Sequence, residues 1–294
     1  MSEADGRIEA AASFVLQSPP GEINDVLNDV RVIVNDDDTL EEGILPALQE
    51  YNLAQFIVVD VPGADHQTIV SSIARKLDSD GDEERFFDPR SKTSFKFDHL
   101  RLEASDAHPE EPDPDAEPLR AALEASALSY LAAHYIGGVT SVFVVQPPDN
   151  FVIQIVSNKY NPTNFWSGRW RSHYEIDLGE LKTIRGEVFV NVHYYEQGNV
   201  QLETSHGLSL SIPPAVANAP PHTAASKIFA LIEAEETRLQ TSLNESYHEM
   251  SEKAFKGLRR ALPLTRQKLD WDRILGYKLG AELTASKGAF TTAS

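Results

Sequence analysis

From Val139 onward, hydrophobic and polar residues alternate with a period of two, which is typical of strands that bury one face. Pro147–Asn150 and Gln197–Gly198 have the composition of hairpin turns. Because short connections join antiparallel strands, this pattern predicts an antiparallel meander of about five strands. The predicted strands are Val139–Val145, Phe151–Ser157, Arg169–Ile176, Ile184–Tyr195 and Asn199–Glu203.

A long helix is predicted after the proline-rich break at Pro213–Pro221, with its start at Thr223 or Ser226. Its apolar stripe lapses at Glu235 and Glu236, which we interpret as a gap in burial. At 1.5 Å per residue, a helix that runs to about Arg260 would be roughly 50 Å long and could span the sheet. The stripe consists of Ile228, Phe229, Ile232, Leu239, Leu243, Tyr247 and Met250.

The first 56 residues predict three helices, because apolar residues recur there at spacings of three and four. Ser18–Gly21 ends the first helix, and the acidic run Asp36–Asp38 ends the second. Thr39 is the expected N-cap of the third, with Glu42 completing a capping box. Pro46 should kink that helix or mark its true start.

Residues 57–138 predict short strands, an acidic loop and one helix. Glu103–Pro118 has seven acidic residues, four prolines and no Lys or Arg, which favours a solvated, mobile loop. Leu119–Tyr135 is amphipathic and should end at Gly137 and Gly138. The expected strands are Phe56–Val61, Thr68–Ile73 and Thr93–His99.

The C-terminal segment differs in charge from the rest of the chain. Residues 251–294 hold nine basic and four acidic side chains, in a chain whose net charge is −19. Such a basic cluster would let an acidic protein dock on an acidic partner, although it could equally decorate a helix end. From Leu264 the apolar spacing predicts an amphipathic helix of about five turns. Its stripe would either pack on its own domain or lie in a partner's groove.

Motifs for catalysis, metal binding or nucleotide binding are absent from the sequence. There is no cysteine, no glycine-rich phosphate loop and no nucleophile elbow. His193 and Glu196 would point to opposite faces of a strand, so we expect His193 to be structural. Trp166 and Trp170 could form a stacking platform, but strand aromatics usually belong to a core. The run Asp36–Asp38 lacks the spacing and glycine of a calcium loop. We therefore expect no enzyme activity, cofactor or metal.

Composition also restricts the classes of partner and the cellular location that we expect for this protein. A chain with 41% hydrophobic residues can bury a sizeable core, while the net charge of −19 argues against general nucleic-acid binding. No apolar run approaches the ~20 residues of a membrane span, and the acidic N-terminus lacks the features of a signal peptide. These observations predict a cytoplasmic protein that is not an integral membrane protein.

Several stretches together resemble the alpha subunit of F-actin capping protein. Phe255–Pro263 is F-K-G-L-R-R-A-L-P, and Val192–Val200 is V-H-Y-Y-E-Q-G-N-V. The resemblance runs in order through nearly the whole chain. One departure is Gln197, where the family usually has Asp, in a predicted turn. Further matching stretches are Pro19–Glu22, Phe95–Arg101, Asn164–Arg171 and Leu264–Trp271.

This resemblance implies an obligate heterodimer with a similarly folded beta subunit, with sheets joined edge to edge and the long helices lying across them. It also implies calcium-independent binding at the barbed ends of actin filaments, which blocks subunit addition and loss. Anionic phosphoinositides would compete for the basic cluster, and the protein would lie in cortical actin structures. The alternative is a scaffold or assembly-factor subunit with the same fold and another partner.

Site residues follow from the resemblance and the residue patterns. Heterodimer contacts are expected at Val192, His193, Tyr194 and Tyr195, which we place near an open sheet edge. Phosphoinositide contacts are expected at Lys256, Arg259 and Arg260. The expected actin-binding residues are Lys256, Arg259, Arg260, Arg266, Lys268, Trp271, Arg273, Ile274, Leu275 and Leu279.

The predicted fold class is α+β. It comprises N-terminal antiparallel helices, a small β region, a central antiparallel sheet of about five strands covered by a long helix, and a C-terminal amphipathic arm. The expected segments form one folding unit with the beta subunit. They are the helical bundle 1–56, the strands, loop and helix of 57–138, the sheet 139–212, the long helix 213–262 and the arm 263–294.

Overall fold

The computed structural model describes residues 3–77, 83–196 and 199–249. It begins with three helices, as predicted: α1 (Glu3–Leu16), α2 (Ile23–Val34) and α3 (Asp37–Ala54). Val15, Val30, Leu48 and other apolar residues of these helices are buried in one cluster. The helical stripes of the sequence therefore become the core of an N-terminal helical layer.

The predicted cap of the third helix is wrong. Leu40 N–H donates to the Asp36 carbonyl at 3.1 Å, and α3 already includes Asp37, so Thr39 lies inside the helix. Pro46 also lies inside α3. Between α2 and α3, Asn35 adopts a left-handed backbone conformation with φ 52°, which ends α2 before the acidic run.

Two small antiparallel sheets follow the helices. The first pairs β1 (Ile57–Asp60) with β2 (Gln67–Val70). The second has the strand order β3-β4-β5-β6. Its strands are β3 (Arg75–Leu77), β4 (Glu84–Asp88), β5 (Thr93–Asp98) and β6 (Glu103–Pro109).

The prediction of a loop over Glu103–Pro118 is wrong in its first half. β6 pairs with β5, so Ala104 lies opposite Phe97, and both Ala104 and Ala107 pack against the N-terminal core. Small alanines form the buried side of this strand, so its apolar pattern is weak. Its acidic composition therefore indicated a loop. The second half leads into α4 (Glu117–His134), which agrees with the predicted helix within two residues.

The predicted five-stranded antiparallel meander is confirmed. Its strand order is β11-β10-β9-β8-β7, so every strand pairs with its neighbours in sequence. A short 3₁₀ turn (Pro162–Asn164) joins the second strand of the meander to the third. The strands are β7 (Val139–Gln146), β8 (Asn150–Asn161), β9 (Trp166–Asp177), β10 (Thr183–Tyr194) and β11 (Val200–Ser211).

The last strand, β11, is longer than the sequence predicted. The predicted end was Glu203, but β11 pairs with β10 along all of Thr183–Tyr194 and ends at Ser211. Its second half is rich in Ser and Gly, which lowers its strand propensity. The continuous pairing with β10 overrides that local preference.

The long helix covers one face of the sheet. After the short helix α5 (Pro214–Ala217), α6 runs through Pro221–Glu249, and its predicted continuation to Arg260 lies outside the described residues. Ile228, Phe229 and Ile232 of α6 share a core with α4 and with Tyr174 and Ile184 of the sheet. The long helix over a five-stranded sheet thus matches the predicted α+β class.

The expected gap in burial at Glu235 and Glu236 is wrong for the second residue. Glu236 is only 1% exposed, and four hydroxyl groups donate to its carboxylate. Charged residues usually lie at the surface, so the apolar stripe of the helix could not indicate that Glu236 is buried.

The opposite face of the sheet packs on the N-terminal layer. Phe143 of β7 and Val152 of β8 belong to the same core as α1 to α3. The chain divides into two compact units, Met1–Leu239 and Gln240–Ser294, and only residues 240–249 of the second are described. Across the described ranges, no helix combines the length and apolar character needed to cross a membrane.

Candidate functional site

All ten predicted actin-binding residues lie outside the described residues. They fall between Lys256 and Leu279, and the description ends at Glu249. The same applies to the predicted phosphoinositide residues Lys256, Arg259 and Arg260 and to the C-terminal amphipathic arm. The described residues instead contain two surfaces that could receive a partner, and both adjoin the predicted heterodimer residues.

The predicted heterodimer residues lie on β10 and directly after it, and the expectation that they lie at the sheet edge is wrong. β10 pairs with β9 on one side and with β11 on the other. Val192 faces the side of the sheet that carries α6, as does Tyr194, whose phenol donates to Glu196 at 2.5 Å. Val192, His193 and Tyr194 pair with Leu202, Gln201 and Val200, which belong to the part of β11 that was predicted as a strand.

His193 points to the other face and joins the sheet to the helices. Its Nδ1 lies 2.7 Å from Oε1 of Glu22, which also accepts a bond from Ser167 Oγ at 3.0 Å. The ring of His193 stacks on Tyr195 with a centroid distance of 4.8 Å, and the residue is 6% exposed. These contacts confirm the structural role expected for His193.

Two arginines of β9 make a second link between the sheet and the helices. Arg171 donates to the carbonyl of Ala54, and Arg169 donates to the carbonyl of Gln55 at 3.2 Å. Both carbonyls lie at the C-terminal end of α3, where the backbone carries a partial negative charge. Burial, together with the nearby charge of Arg169, lowers the pKa of Arg171 to about 10.

Sequence reasoning missed these two arginines because it considered only the tryptophans beside them. Trp170 packs against the main core and donates through Nε1 to Ser172 Oγ at 2.9 Å. It therefore has the core role that was expected for a strand aromatic. Side chains alternate between the two faces along β9, so Arg169 and Arg171 lie on the face opposite Trp170. This alternation could have predicted the position of the two arginines.

The first surface is the open edge of the sheet at β11. Among the residues that the structure describes, this strand pairs only with β10, so one row of its backbone groups faces away from the sheet. Its residues alternate between half-buried and exposed, and Val200 at its start is 62% exposed. Such an edge can accept another strand.

The second surface is a groove of about 520 Å³ on the α6 side of the sheet. Trp170, Val190 and Val192 line it from the strands. Ile136, at the end of α4, forms part of its wall and is 98% exposed. The lining also includes the polar residues His134, Asn158 and Lys159, and the apolar part of the groove beside a nearly fully exposed isoleucine has the character of a partner-binding surface.

Comparison with known proteins links this architecture to one family. Residues 11–282 match the family described as F-actin capping protein alpha subunit. An F-actin-capping protein subunit alpha of Emericella nidulans is 37% identical over 281 residues, which cover 96% of this chain and 98% of that protein. The corresponding subunit of Caenorhabditis elegans is 36% identical over 288 residues, covering 96% and 99%.

A solved structure has the same fold. The homodimeric actin capping protein alpha subunit from Plasmodium berghei superposes with a TM-score of 0.67 and 21% sequence identity. The match covers 90% of this chain and 99% of that one.

Proposed function

This chain belongs to the F-actin capping protein alpha subunit family and acts in actin capping, and we propose that it does so at barbed ends, without calcium, as half of a heterodimer. The family consists of structural actin-binding proteins, and we propose no catalytic activity or cofactor. The protein is accordingly associated with the cytoskeleton, and we propose the cytoplasm and cortical actin structures as its location.

One observation carries the proposed actin contact. The family match continues to residue 282 and so includes the whole set of predicted actin-binding residues, which ends at Leu279. The segment from 251 onward is also locally basic in an otherwise acidic chain. The basic residues Lys256, Arg259, Arg260, Arg266, Lys268 and Arg273 would contact acidic actin surface, and Trp271, Ile274, Leu275 and Leu279 would supply apolar contact.

The heterodimer is supported by the two open surfaces of the sheet. We propose that a strand of the beta subunit pairs with β11, so that the two sheets join edge to edge. The long helix of the beta subunit would then lie in the groove at Trp170, Val190 and Val192. Val192 and Tyr194 face that side, so they are the predicted interface residues nearest such a helix. The segments from the bundle 1–56 to the arm 263–294 would form one folding unit with the partner.

Anionic phosphoinositides are proposed as competitors of actin. Each Lys or Arg near an anionic membrane contributes on the order of 1 kcal/mol, and Lys256, Arg259 and Arg260 are close together in sequence. Vesicles that contain a phosphoinositide should therefore reduce capping at low salt, while neutral vesicles should not. Unchanged capping with the anionic vesicles would rule out a shared cluster.

Filament elongation tests the capping proposal. The chain co-expressed with a beta subunit should stop growth from seeds with free barbed ends, both with calcium and with a calcium chelator. Seeds that expose only pointed ends should grow normally. Normal growth from both kinds of seed would instead favour a scaffold or assembly-factor subunit with another partner.

A further inference from the structure

The buried carboxylate of Glu236 is the meeting point of three elements. Its Oε2 accepts bonds from Tyr130 at 2.5 Å and from Tyr135, which lie on α4 and directly after it. Its Oε1 accepts bonds from Tyr174 and, at 3.2 Å, from Ser172, both on β9. Glu236 itself belongs to α6, so a single carboxylate joins α6 to α4 and to the sheet.

This carboxylate is fully satisfied without a cation. A carboxylate offers about four acceptor sites, and here each oxygen takes two hydroxyl donors. Within the part of the chain that the structure describes, no basic side chain forms an ion pair with Glu236. Burial, together with the charge of Glu236, raises the pKa of Tyr130, Tyr135 and Tyr174, so these phenols stay protonated and keep donating.

The surrounding residues hold the donors in place. Gly186 lies opposite Tyr174, and a Cβ atom at that position would lie 2.7 Å from Cε1 of the tyrosine ring. Trp170 donates through Nε1 to Ser172 Oγ, which orients that hydroxyl. Tyr135 packs on Trp170 with a centroid distance of 5.9 Å. The donors therefore converge through packing of several elements.

Burial alone does not require a glutamate at this position. Glu236 falls on the apolar stripe of α6, four residues after Ile232 and three before Leu239, where a leucine would satisfy the stripe. An apolar stripe tolerates small rotations and shifts of a helix, whereas four directed hydrogen bonds accept only one arrangement. Buried polar groups are known to fix register in this way in some proteins, at no gain in stability.

We propose that Glu236 is a positioning residue, which fixes the rotation and axial position of α6 on α4 and β9, and that capping depends on this register. The proposal rests on the capping function proposed above. α6 is the last described element before the segment that carries the predicted actin-binding residues, so the chain enters that segment directly from α6. A positioning role would give a reason for three tyrosines and a serine to converge on one carboxylate.

An apolar replacement of the cluster separates positioning from stability. The variant combines Glu236→Leu with Tyr130→Phe, Tyr135→Phe and Tyr174→Phe, and it is co-expressed with the beta subunit. We expect it to assemble and to unfold near the wild-type temperature, because the three phenols are removed together with their acceptor and the Ser172 hydroxyl, which loses Glu236, still accepts from Trp170. It should nevertheless need about tenfold more protein to halve barbed-end growth. Wild-type capping by this variant would overturn the proposal.

If the combined variant does not assemble with the beta subunit, two single substitutions test the positioning role of Glu236 instead. Tyr135→Phe removes one donor from the cluster, and Tyr51→Phe removes a buried phenol whose bond to the Pro19 carbonyl is 3.4 Å long. Relative to the fall in unfolding temperature that each substitution causes, Tyr135→Phe should weaken capping more than Tyr51→Phe. Equal effects would refute positioning by Glu236. A wild-type dimer that does not cap would overturn the proposed function and this inference together.

Discussion

Gly186 on β10 lies directly opposite Tyr174 on β9, and the tyrosine ring occupies the space beside the glycine. Any side chain at position 186 would therefore displace this ring. Because the Tyr174 phenol donates to Glu236, the glycine also protects the hydrogen bonds that attach α6 to the sheet. Gly186, a position without a side chain, thus couples the packing of the sheet to the long helix and its buried carboxylate.

Gly186→Ala should destabilise the heterodimer. The added methyl group would force Tyr174 to move, and overpacking of this kind costs about 1–3 kcal/mol of unfolding free energy. Urea unfolding at equal protein concentration measures the change. Gly179→Ala is the matched control, because its Cβ would have only ordinary contacts at 3.5 Å or more. Equal stability of the two variants would contradict the coupling.

Stability should fall as the pH drops through the range in which free histidine titrates and below it. His99 is buried against Phe97 and Phe86, and burial lowers its pKa although Glu84 and Asp98 act in the opposite direction. The unfolded chain therefore binds the proton first as the pH passes below about 6.5, and the folded state loses stability from there downward.

Replacement of His99 isolates that contribution. His99→Gln should make the unfolding free energy less dependent on pH between about 7 and 5. The control is His222→Gln, because His222 is exposed on α6. Urea unfolding at several pH values gives both slopes. If the two variants lose stability on acidification as steeply as the wild type, burial of His99 is not a source of acid sensitivity.

Local patterns were enough to predict the main architecture. The period of two after Val139 and the stripe from Ile228 onward predicted the five-stranded sheet and the helix over it, because both depend on one-sided burial. The strand β6 was missed because Ala104 and Ala107, rather than large apolar residues, form its buried side.

The Glu236 cluster could not be predicted from local patterns. Its partners Tyr130 and Tyr174 are 106 and 62 positions away in the sequence. A glutamate on a helical stripe indicates exposure unless its donors are known, and those donors come from two other elements, the end of α4 and β9. Val192–Tyr194 were placed at the sheet edge although the strand predicted directly after them covers them, because Val200, Gln201 and Leu202 are their partners.

Expression alone should yield an insoluble or polydisperse chain. The unpaired edge of β11 and the groove beside Ile136 would then be exposed, and such surfaces promote association. Co-expression with the beta subunit should give a single species of heterodimer size in light scattering. A monodisperse lone chain that melts cooperatively would contradict the obligate partner. An ordered homodimer would contradict it as well.

Charge and apolar contacts in the C-terminal segment should affect different rates. Lys256→Glu with Arg260→Glu should slow capping strongly, because charge steering acts on association and is screened beyond about 8 Å at physiological salt. Removal of the chain from Leu264 onward should mostly shorten the capped lifetime, since apolar burial acts on dissociation. Barbed-end growth after dilution measures both rates.

Three results would contradict this separation of charge and apolar contacts. The first is an unchanged dissociation rate after the truncation, and the second is a charge reversal that affects dissociation alone. The third is failure of either variant to assemble with the beta subunit, which would make the segment structural. Wild-type association should also weaken as salt rises, because screening reduces the steering.

Observation of both ends of single actin filaments tests the central claim most directly. With the heterodimer and a calcium chelator present, growth at barbed ends should stop abruptly, one filament at a time, while pointed ends continue to grow at their usual rate. Continued growth at both ends, or arrest at pointed ends, would contradict the claim that this chain forms half of a barbed-end capping protein.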